Sequence, residues 1–283
     1  MKEHTSASRI PKKIAAYALF ICIGLFVLIP LYALLLSTFK DGNDMVQHGI
    51  NLRIRLSEMN LDNYFMIFSS AAARYWMWYK NSLLLVVFQV ITTLAVSAFV
   101  AYGFAAYDFP FKNLCFFVVI LIMSVPFEII MLPLYQEINN LRMSDSYVAI
   151  ALPFIAHSST IFFFRQYLSG IPSEIIEAGR IDGASEYGIF FRLIIPVMKP
   201  SFAAMAILNG MTSWNNVLWP LLVLRSDNKF TLPIGLNTLI TPYGNNYDLL
   251  ITGSFVAIFP IVILFLVFQK YFIEGMTAGA VKG

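Results

Sequence analysis

Charged residues are scarce in this chain, and their scarcity excludes a soluble globular protein. Only 12% of the 283 residues are Asp, Glu, Lys or Arg, and the mean hydropathy is +0.73. A soluble domain carries about 25% charged residues. Half that level, together with long apolar runs, indicates an integral membrane protein. The net charge of +3 is too small to suggest a nucleic-acid partner.

Cysteine and histidine are also few, which limits metal and redox chemistry. Cys22 and Cys115 each lie inside an apolar run, so they are predicted to be small buried hydrophobic residues rather than disulfide partners. His4, His48 and His157 are scattered and show no metal-ligand spacing. The chain has no GxxxxGK[ST] phosphate loop, so we do not expect ATP chemistry in it. We therefore predict a protein without catalytic residues, metal or cofactor.

What the chain does contain is six apolar stretches long enough to cross a hydrocarbon core about 30 Å thick. Four basic residues precede the first stretch, and an even number of spans puts both termini on one side, so both termini are predicted to be cytoplasmic. The predicted spans are Ile14–Phe39, Asn81–Tyr107, Asn113–Ile138, Tyr147–Leu168, Pro200–Leu224 and Leu249–Phe272.

A charged island, Glu177–Gly183, stands between two apolar runs and is predicted to be a cytoplasmic loop. Pro172 suits the first turn of a helix that carries acidic residues near its N-terminus. Gly183 can adopt the left-handed conformation that ends this helix. Ser185 is expected to cap a second, short helix that runs through Arg192. A loop with two helices, an apolar face and a glycine break favours docking of another protein over a solvated connector.

The same island carries a resemblance to a known family. Glu177-Ala178-Gly179, followed by Asp182-Gly183, nine residues and an apolar segment ending in Pro196, resembles the "EAA" loop of ABC importer permeases. Gly179 stands where that family usually has alanine, and Leu193 where it often has isoleucine. The likeness runs essentially end to end and is similar to the carbohydrate-uptake subgroup, in particular to permeases for arabinose-oligosaccharides. Further segments that agree are Phe164–Tyr167, Ile171–Glu174, Ser213–Asn216, Trp219–Pro220, Thr231–Leu236 and Gly275–Gly283.

The resemblance implies an all-α membrane protein with six transmembrane helices, the type I ABC importer permease fold. It implies a cytoplasmic tail over residues 1–13, a permease domain over 14–272 with its coupling loop at 169–199, and a cytoplasmic tail over 273–283. It further implies a second homologous permease, a separate ATPase dimer that hydrolyses ATP, an extracytoplasmic sugar-binding protein, and a place in the bacterial inner membrane.

The resemblance also implies three groups of functional residues. The residues expected to contact and move with the ATPase are Glu177, Ala178, Gly179, Asp182 and Gly183. The C-terminal residues expected to reach the ATPases are Thr277, Gly279, Lys282 and Gly283. A possible substrate path, for which packing against the partner permease is the alternative, comprises Trp214, Asn215, Asn216 and Trp219. Glu128 is left open between a functional group and a hydrogen-bonded structural one.

Three other functions are alternatives to a sugar importer permease. An ion-coupled secondary transporter should carry mid-membrane charges and often inverted repeats, and the chain has few such charges and no visible repeat. A membrane-embedded enzyme would need a convergent set of acid, base or metal ligands in the spans. A permease for another solute class, such as amino acids or phosphate, is the strongest competitor.

Overall fold

The computed structural model describes residues 9–69, 72–241 and 244–278, and these are largely helical. They form two compact units, one drawn from the described residues up to 73 and within 238–256, and the other from 74–237 and 257–278. The helices are α1 (Arg9–Ser37), α2 (Gly42–His48), α3 (Asp62–Ile67), α4 (Ala73–Ala106), α5 (Lys112–Met123), α6 (Phe127–Asn140), α7 (Tyr147–Ala151), α8 (Ser158–Leu168), α9 (Glu174–Ile181), α10 (Glu186–Ile189), α11 (Ile195–Val197), α12 (Lys199–Trp214), α13 (Leu218–Val223), α14 (Leu232–Asn237), α15 (Tyr247–Val256) and α16 (Phe259–Ala278).

Three helical stretches are long and apolar enough to cross a membrane without a sharp bend. They are Lys13–Ser37, Ala73–Ala106 and Tyr247–Tyr271. Three further candidates are pairs of helices that meet at a sharp bend. α5 and α6 meet at 99°, Tyr147–Phe154 and α8 at 43°, and Glu186–Val197 and α12 at 75°. The predicted count of six spans is therefore reached when each bent pair is one crossing.

Proline accounts for the first two bends. Pro126 has an extended backbone (ψ 131°) immediately before α6, and Pro153 lies in the 3₁₀ turn Leu152–Phe154 that follows α7. Proline has no N–H to donate to the preceding turn, and its ring clashes with a continuing helix. The predicted third and fourth spans are consequently split, each into two shorter helices.

In the first unit, α15 packs against α1, α2 and α3. Asn63, which is buried, donates from Nδ2 to the carbonyl oxygens of Thr38 (3.0 Å) and Lys40 (2.7 Å). These carbonyls lie just past the end of α1, where a helix leaves its last acceptors unsatisfied. Two strands of two residues each, β1 (Ile240–Thr241) and β2 (Gly244–Asn245), pair antiparallel in this unit.

In the second unit, buried polar side chains on α4 tie this helix to its neighbours. Thr93 donates to the carbonyl oxygen of Phe154 at 2.8 Å, and Gln89 accepts from Ser213 at 3.0 Å. Asn81 donates to the carbonyl oxygen of Phe230 at 3.0 Å. Hydrogen bonds of this kind join membrane helices because the surrounding lipid offers no partner.

One sequence prediction about burial was wrong. Cys22 and Cys115 are exposed on the outer surface of their helices, because α1 and α5 present apolar residues on all sides. Tyr75 and Trp78, near the start of α4, are buried. Trp78 packs on Gly235, where an added Cβ would lie 2.0 Å from the indole ring.

That contact predicts a strong effect of a small substitution. Gly235→Ala should force the indole of Trp78 out of place and lower the stability of the protein by about 1–3 kcal/mol, the usual cost of overpacking. Gly103→Ala is the matched control, because an added Cβ there has no neighbour within 4 Å. Thermal unfolding of the purified protein in detergent measures both, and equal melting temperatures for the two variants would contradict the prediction.

Candidate functional site

The charged island forms helix α9, which begins at Glu174. Pro172 was predicted in the first turn but lies two residues before the helix, with Ser173 as the preceding cap residue. Glu174 and Glu177 occupy the N-terminal part of α9, where carboxylates interact favourably with the helix dipole. The backbone N–H of Glu177 bonds to the carbonyl oxygen of Ser173 at 3.1 Å.

α9 ends at Gly183 as predicted. Gly183 has φ +74°, in the left-handed region that residues with a side chain rarely adopt. Its N–H bonds to the carbonyl oxygen of Arg180 (3.1 Å), and the N–H of Ala184 bonds to that of Gly179 (3.0 Å). This pair of hydrogen bonds is the Schellman arrangement, which satisfies the last carbonyl groups of a helix.

The second helix begins where predicted and runs further than predicted. The Oγ atom of Ser185 accepts from the N–H of Gly188 at 3.1 Å and caps the helix. The helix continues beyond Arg192 to Val197, through a π-helical segment at Phe190–Ile194. Burial explains the extension, because Phe190 and Ile194 belong to the main apolar cluster of this unit.

Gly179 sets how closely the two helices approach. It is buried, and an added Cβ would lie 2.9 Å from Cγ1 of Ile189 and 2.9 Å from Cδ1 of Leu193. The expected coupling residues therefore do not all face the same way. Glu177, Ala178 and Asp182 are exposed, whereas Gly179 faces the second helix. We call α9, the bend at Gly183 and the helix Glu186–Val197 the elbow.

A polar network on the elbow was not anticipated from the sequence. Arg180 donates from Nε to Oε1 of Glu186 at 2.7 Å, and Tyr107 donates to Oε2 at 2.7 Å. The guanidinium of Arg180 also lies 5.7 Å from the ring centre of Tyr107. The Arg180–Glu186 contact joins two residues that are six positions apart, on either side of the bend at Gly183, and Tyr107 links them to the end of α4. Sequence spacing alone does not predict such a contact.

The network sets the protonation of Glu186. Hydrogen bonds from Arg180 and then from Tyr107 lower the pKa of this carboxyl group. A lowered pKa means that the contact stabilises the fold above the ordinary carboxyl range and is lost as pH falls through the lowered value. Glu186 is therefore ionised at neutral pH, and the contact is fully formed there.

The outer face of the elbow combines charge with exposed apolar side chains. Ile181 is 86% exposed, Tyr187 73% and Phe191 54%. A depression of about 530 Å³ is lined by parts of both helices, including Asp182, Ser185 and Arg192. Exposed apolar residues beside charges are typical of a surface that binds another protein.

The structure separates the four residues of the predicted substrate path. Trp214 is buried and lies edge-to-face with Tyr79 at 5.6 Å between ring centres. Trp219 is fully buried and donates from Nε1 to the carbonyl oxygen of Ile150 at 3.2 Å. Asn215 is exposed and caps α12 by donating to the carbonyl oxygen of Met211, and Asn216 is partly buried.

Thr277 lies in α16, whereas Gly279, Lys282 and Gly283 lie outside the described residues. Glu128 is an exposed residue in the first turn of α6, a favourable position for a carboxylate.

Comparison with known proteins gives consistent matches. Residues 94–277 match the family described as the binding-protein-dependent transport system inner membrane component. The arabinooligosaccharides transport system permease protein of Bacillus subtilis is 48% identical over 96% of both chains. The protein of the same description from Halalkalibacterium halodurans is 50% identical over 93% of this chain and 94% of its own. A chain from the crystal structure of a bacterial ABC transporter involved in the import of the acidic polysaccharide alginate superposes with a TM-score of 0.78. It is 22% identical, and the match covers 96% of this chain and 100% of that one.

The Arg180–Glu186 contact predicts the local stability of α9. Glu186→Gln should weaken the contact and accelerate amide exchange across residues 173–182, because local opening becomes easier. Arg55→Gln is the control, since it breaks another exposed Arg–Glu pair, of 2.9 Å, in the other unit. Hydrogen exchange with mass spectrometry reads both variants. Unchanged exchange in α9 of the Glu186→Gln variant would show that the contact does not hold the helix.

Proposed function

Since the chain belongs to the family of binding-protein-dependent transport system inner membrane components, we propose that it is one of two permease subunits of an ATP-driven sugar importer. In this proposal it forms half of the translocation pore, and a homologous permease forms the other half. A cytoplasmic ATPase dimer supplies the energy, and an extracytoplasmic binding protein delivers the sugar. The chain itself is a multi-pass protein of the bacterial inner membrane.

The geometry of the elbow carries the proposed coupling role. Its outer face exposes Glu177, Ala178 and Asp182, and its inner face is held against the second helix at Gly179. The second helix is in turn anchored in the apolar cluster through Phe190 and Ile194 and leads into α12. A partner that moves α9 would therefore move α12 with it, because closely packed helices shift as one body rather than deform.

The proposed topology places the elbow and both termini on the cytoplasmic side. Four basic residues before the first apolar stretch support this orientation under the positive-inside rule. We retain the predicted boundaries, with tails at 1–13 and 273–283, a permease domain at 14–272 and a coupling loop at 169–199. The tail residues Thr277, Gly279, Lys282 and Gly283 stay proposed contacts of the ATPases.

Arabinose-oligosaccharides are the proposed solute. The support is the 48–50% identity, over nearly the whole chain, to two permeases described as transporting arabinooligosaccharides. A permease for another solute class is the alternative, because the family extends beyond one substrate. Nothing in the described residues favours an ion-coupled transporter.

The coupling role is tested by substitutions on the outer face and at the bend. We expect Glu177→Lys to reverse the charge offered to the ATPase, and Gly183→Val to strain the left-handed backbone of the bend. Each should reduce ATP-driven uptake of labelled arabinotriose by at least about tenfold, a loss equivalent to roughly 1.4 kcal/mol or more. Membrane insertion should be retained.

The assay uses proteoliposomes that contain both permeases and the ATPases, supplied with the binding protein. Glu137→Lys is the matched control, because Glu137 is also exposed but lies on α6, away from the elbow. Normal uptake by both elbow variants would overturn the coupling role. Uptake of another solute class, but not of arabinotriose, by the parent complex would overturn the proposed solute alone.

A further inference from the structure

A cavity of about 410 Å³ lies where two of the broken spans come together. One side is formed by the break between α5 and α6, and the other by the break between Phe154 and α8. Non-helical backbone at membrane depth is tolerated where it is buried in protein or lines a wet cavity. Discontinuous helices of this kind form the substrate sites of many transporters. The lining residues are Ile122, Met123, Val125, Phe127, Ile130, Leu134, Pro153, Phe154, Ala156, His157, Ser158 and Ser159.

The wall of the cavity combines aromatic rings with a polar edge. Phe127 and Phe154 lie 5.0 Å apart between ring centres, and the imidazole of His157 lies 6.3 Å from the ring of Phe154. Ser159 Oγ and His157 Nδ1 are within hydrogen-bonding distance at 2.9 Å. His157, Ser158 and Ser159 are only partly buried, so their polar groups remain accessible.

Residues outside the cavity fix the positions of Phe127 and Phe154. Trp219 meets Phe127 edge-to-face at 5.8 Å and is itself fixed by its bond to the carbonyl oxygen of Ile150. Thr93 on α4 donates to the carbonyl oxygen of Phe154. Trp219 is fully buried, so its own ring faces are covered. The side chains that offer aromatic surface to the cavity are therefore Phe127 and Phe154.

We propose that this cavity contacts one ring of the transported sugar, an inference that rests on the proposed function. A sugar ring presents C–H groups on its faces and hydroxyl groups around its edge. The faces match the rings of Phe127 and Phe154, and the hydroxyl groups match His157, Ser158 and Ser159. The volume falls within the range of about 300–1,000 Å³ that is typical of small-molecule sites.

A lipid acyl chain fits the cavity less well than a sugar does. Its methylene groups would cover the polar edge without offering a hydrogen bond, and leaving such groups unpaired in an apolar environment is costly. A sugar satisfies both parts of the wall. In this proposal the cavity takes the role that the sequence had suggested for Trp214, Asn215, Asn216 and Trp219, and Trp219 becomes a positioning residue for Phe127.

Protection of an introduced thiol tests the site. Ser158→Cys is placed in a background with Cys22→Ser and Cys115→Ser, which removes the two native thiols. In proteoliposomes that contain the full complex, arabinotriose delivered by the binding protein with ATP should slow alkylation by N-ethylmaleimide several-fold. Thr92→Cys is the control, because Thr92 on α4 is partly buried, as Ser158 is, and is not among the cavity lining. Its alkylation should not change with sugar.

A second measurement, the ratio of uptake rates for two sugars, distinguishes loss of a sugar contact from a general loss of structure. His157→Ala and Phe154→Ala should change the ratio of uptake rates for arabinobiose and arabinotriose, whereas Phe88→Ala, an exposed aromatic on α4, should leave it unchanged. Should Ser158→Cys not assemble, Met123→Cys on the opposite wall replaces it. Sugar-independent alkylation in a complex that transports arabinotriose would overturn the cavity proposal alone. Absence of sugar uptake by the parent complex would overturn the proposed function.

Discussion

The close approach of two helices at Gly179 is the constraint on which the proposed mechanism depends. A side chain at this position would meet Ile189 and Leu193 at 2.9 Å, so α9 lies directly on the second helix. Gly183 reverses the chain between them with φ +74°, and Ser185 starts the next helix. With Arg180 bonded to Glu186 across the bend, the elbow is fixed by packing, backbone geometry and charge together.

The elbow is central to the proposed mechanism because its second helix leads into α12. Its second helix is buried at Phe190 and Ile194, and α12 follows after a bend of 75°. At the bends in the other two pairs, proline at 126 or 153 removes a backbone donor. In a membrane such breaks need protein or water around them, and here they border a cavity with a polar edge.

How far the sequence predicted this structure differs from feature to feature. Gly183 and Ser185 were predicted correctly because their effect is local, a left-handed residue and a side-chain cap. The length of the second helix was underestimated, because burial of Phe190 and Ile194 is a tertiary effect that no capping signal reports. Arg180–Glu186 was missed for a related reason, since the two residues meet only after the bend is formed.

The membrane spans also combine local features that the sequence predicts with tertiary features that it does not. Composition predicted six apolar crossings, but whether a proline within a crossing kinks or breaks the helix depends on neighbouring packing. Pro30 lies inside the continuous α1, whereas Pro126 separates two helices at 99°. For the substrate path, residue type suggested tryptophan, but burial of Trp214 and Trp219 depends on partners distant in sequence, Tyr79 and Phe127.

The most direct test of the account is photo-crosslinking from the outer face of α9. A photoreactive amino acid at Ala178, which is exposed, would be activated in intact membranes that contain the assembled complex. The same amino acid at Leu141, exposed beyond the end of α6, serves as reference. The account predicts an adduct with the ATPase from position 178, altered in yield when ATP binds, and none from position 141. An intact complex that gives no ATPase adduct from position 178 would contradict it.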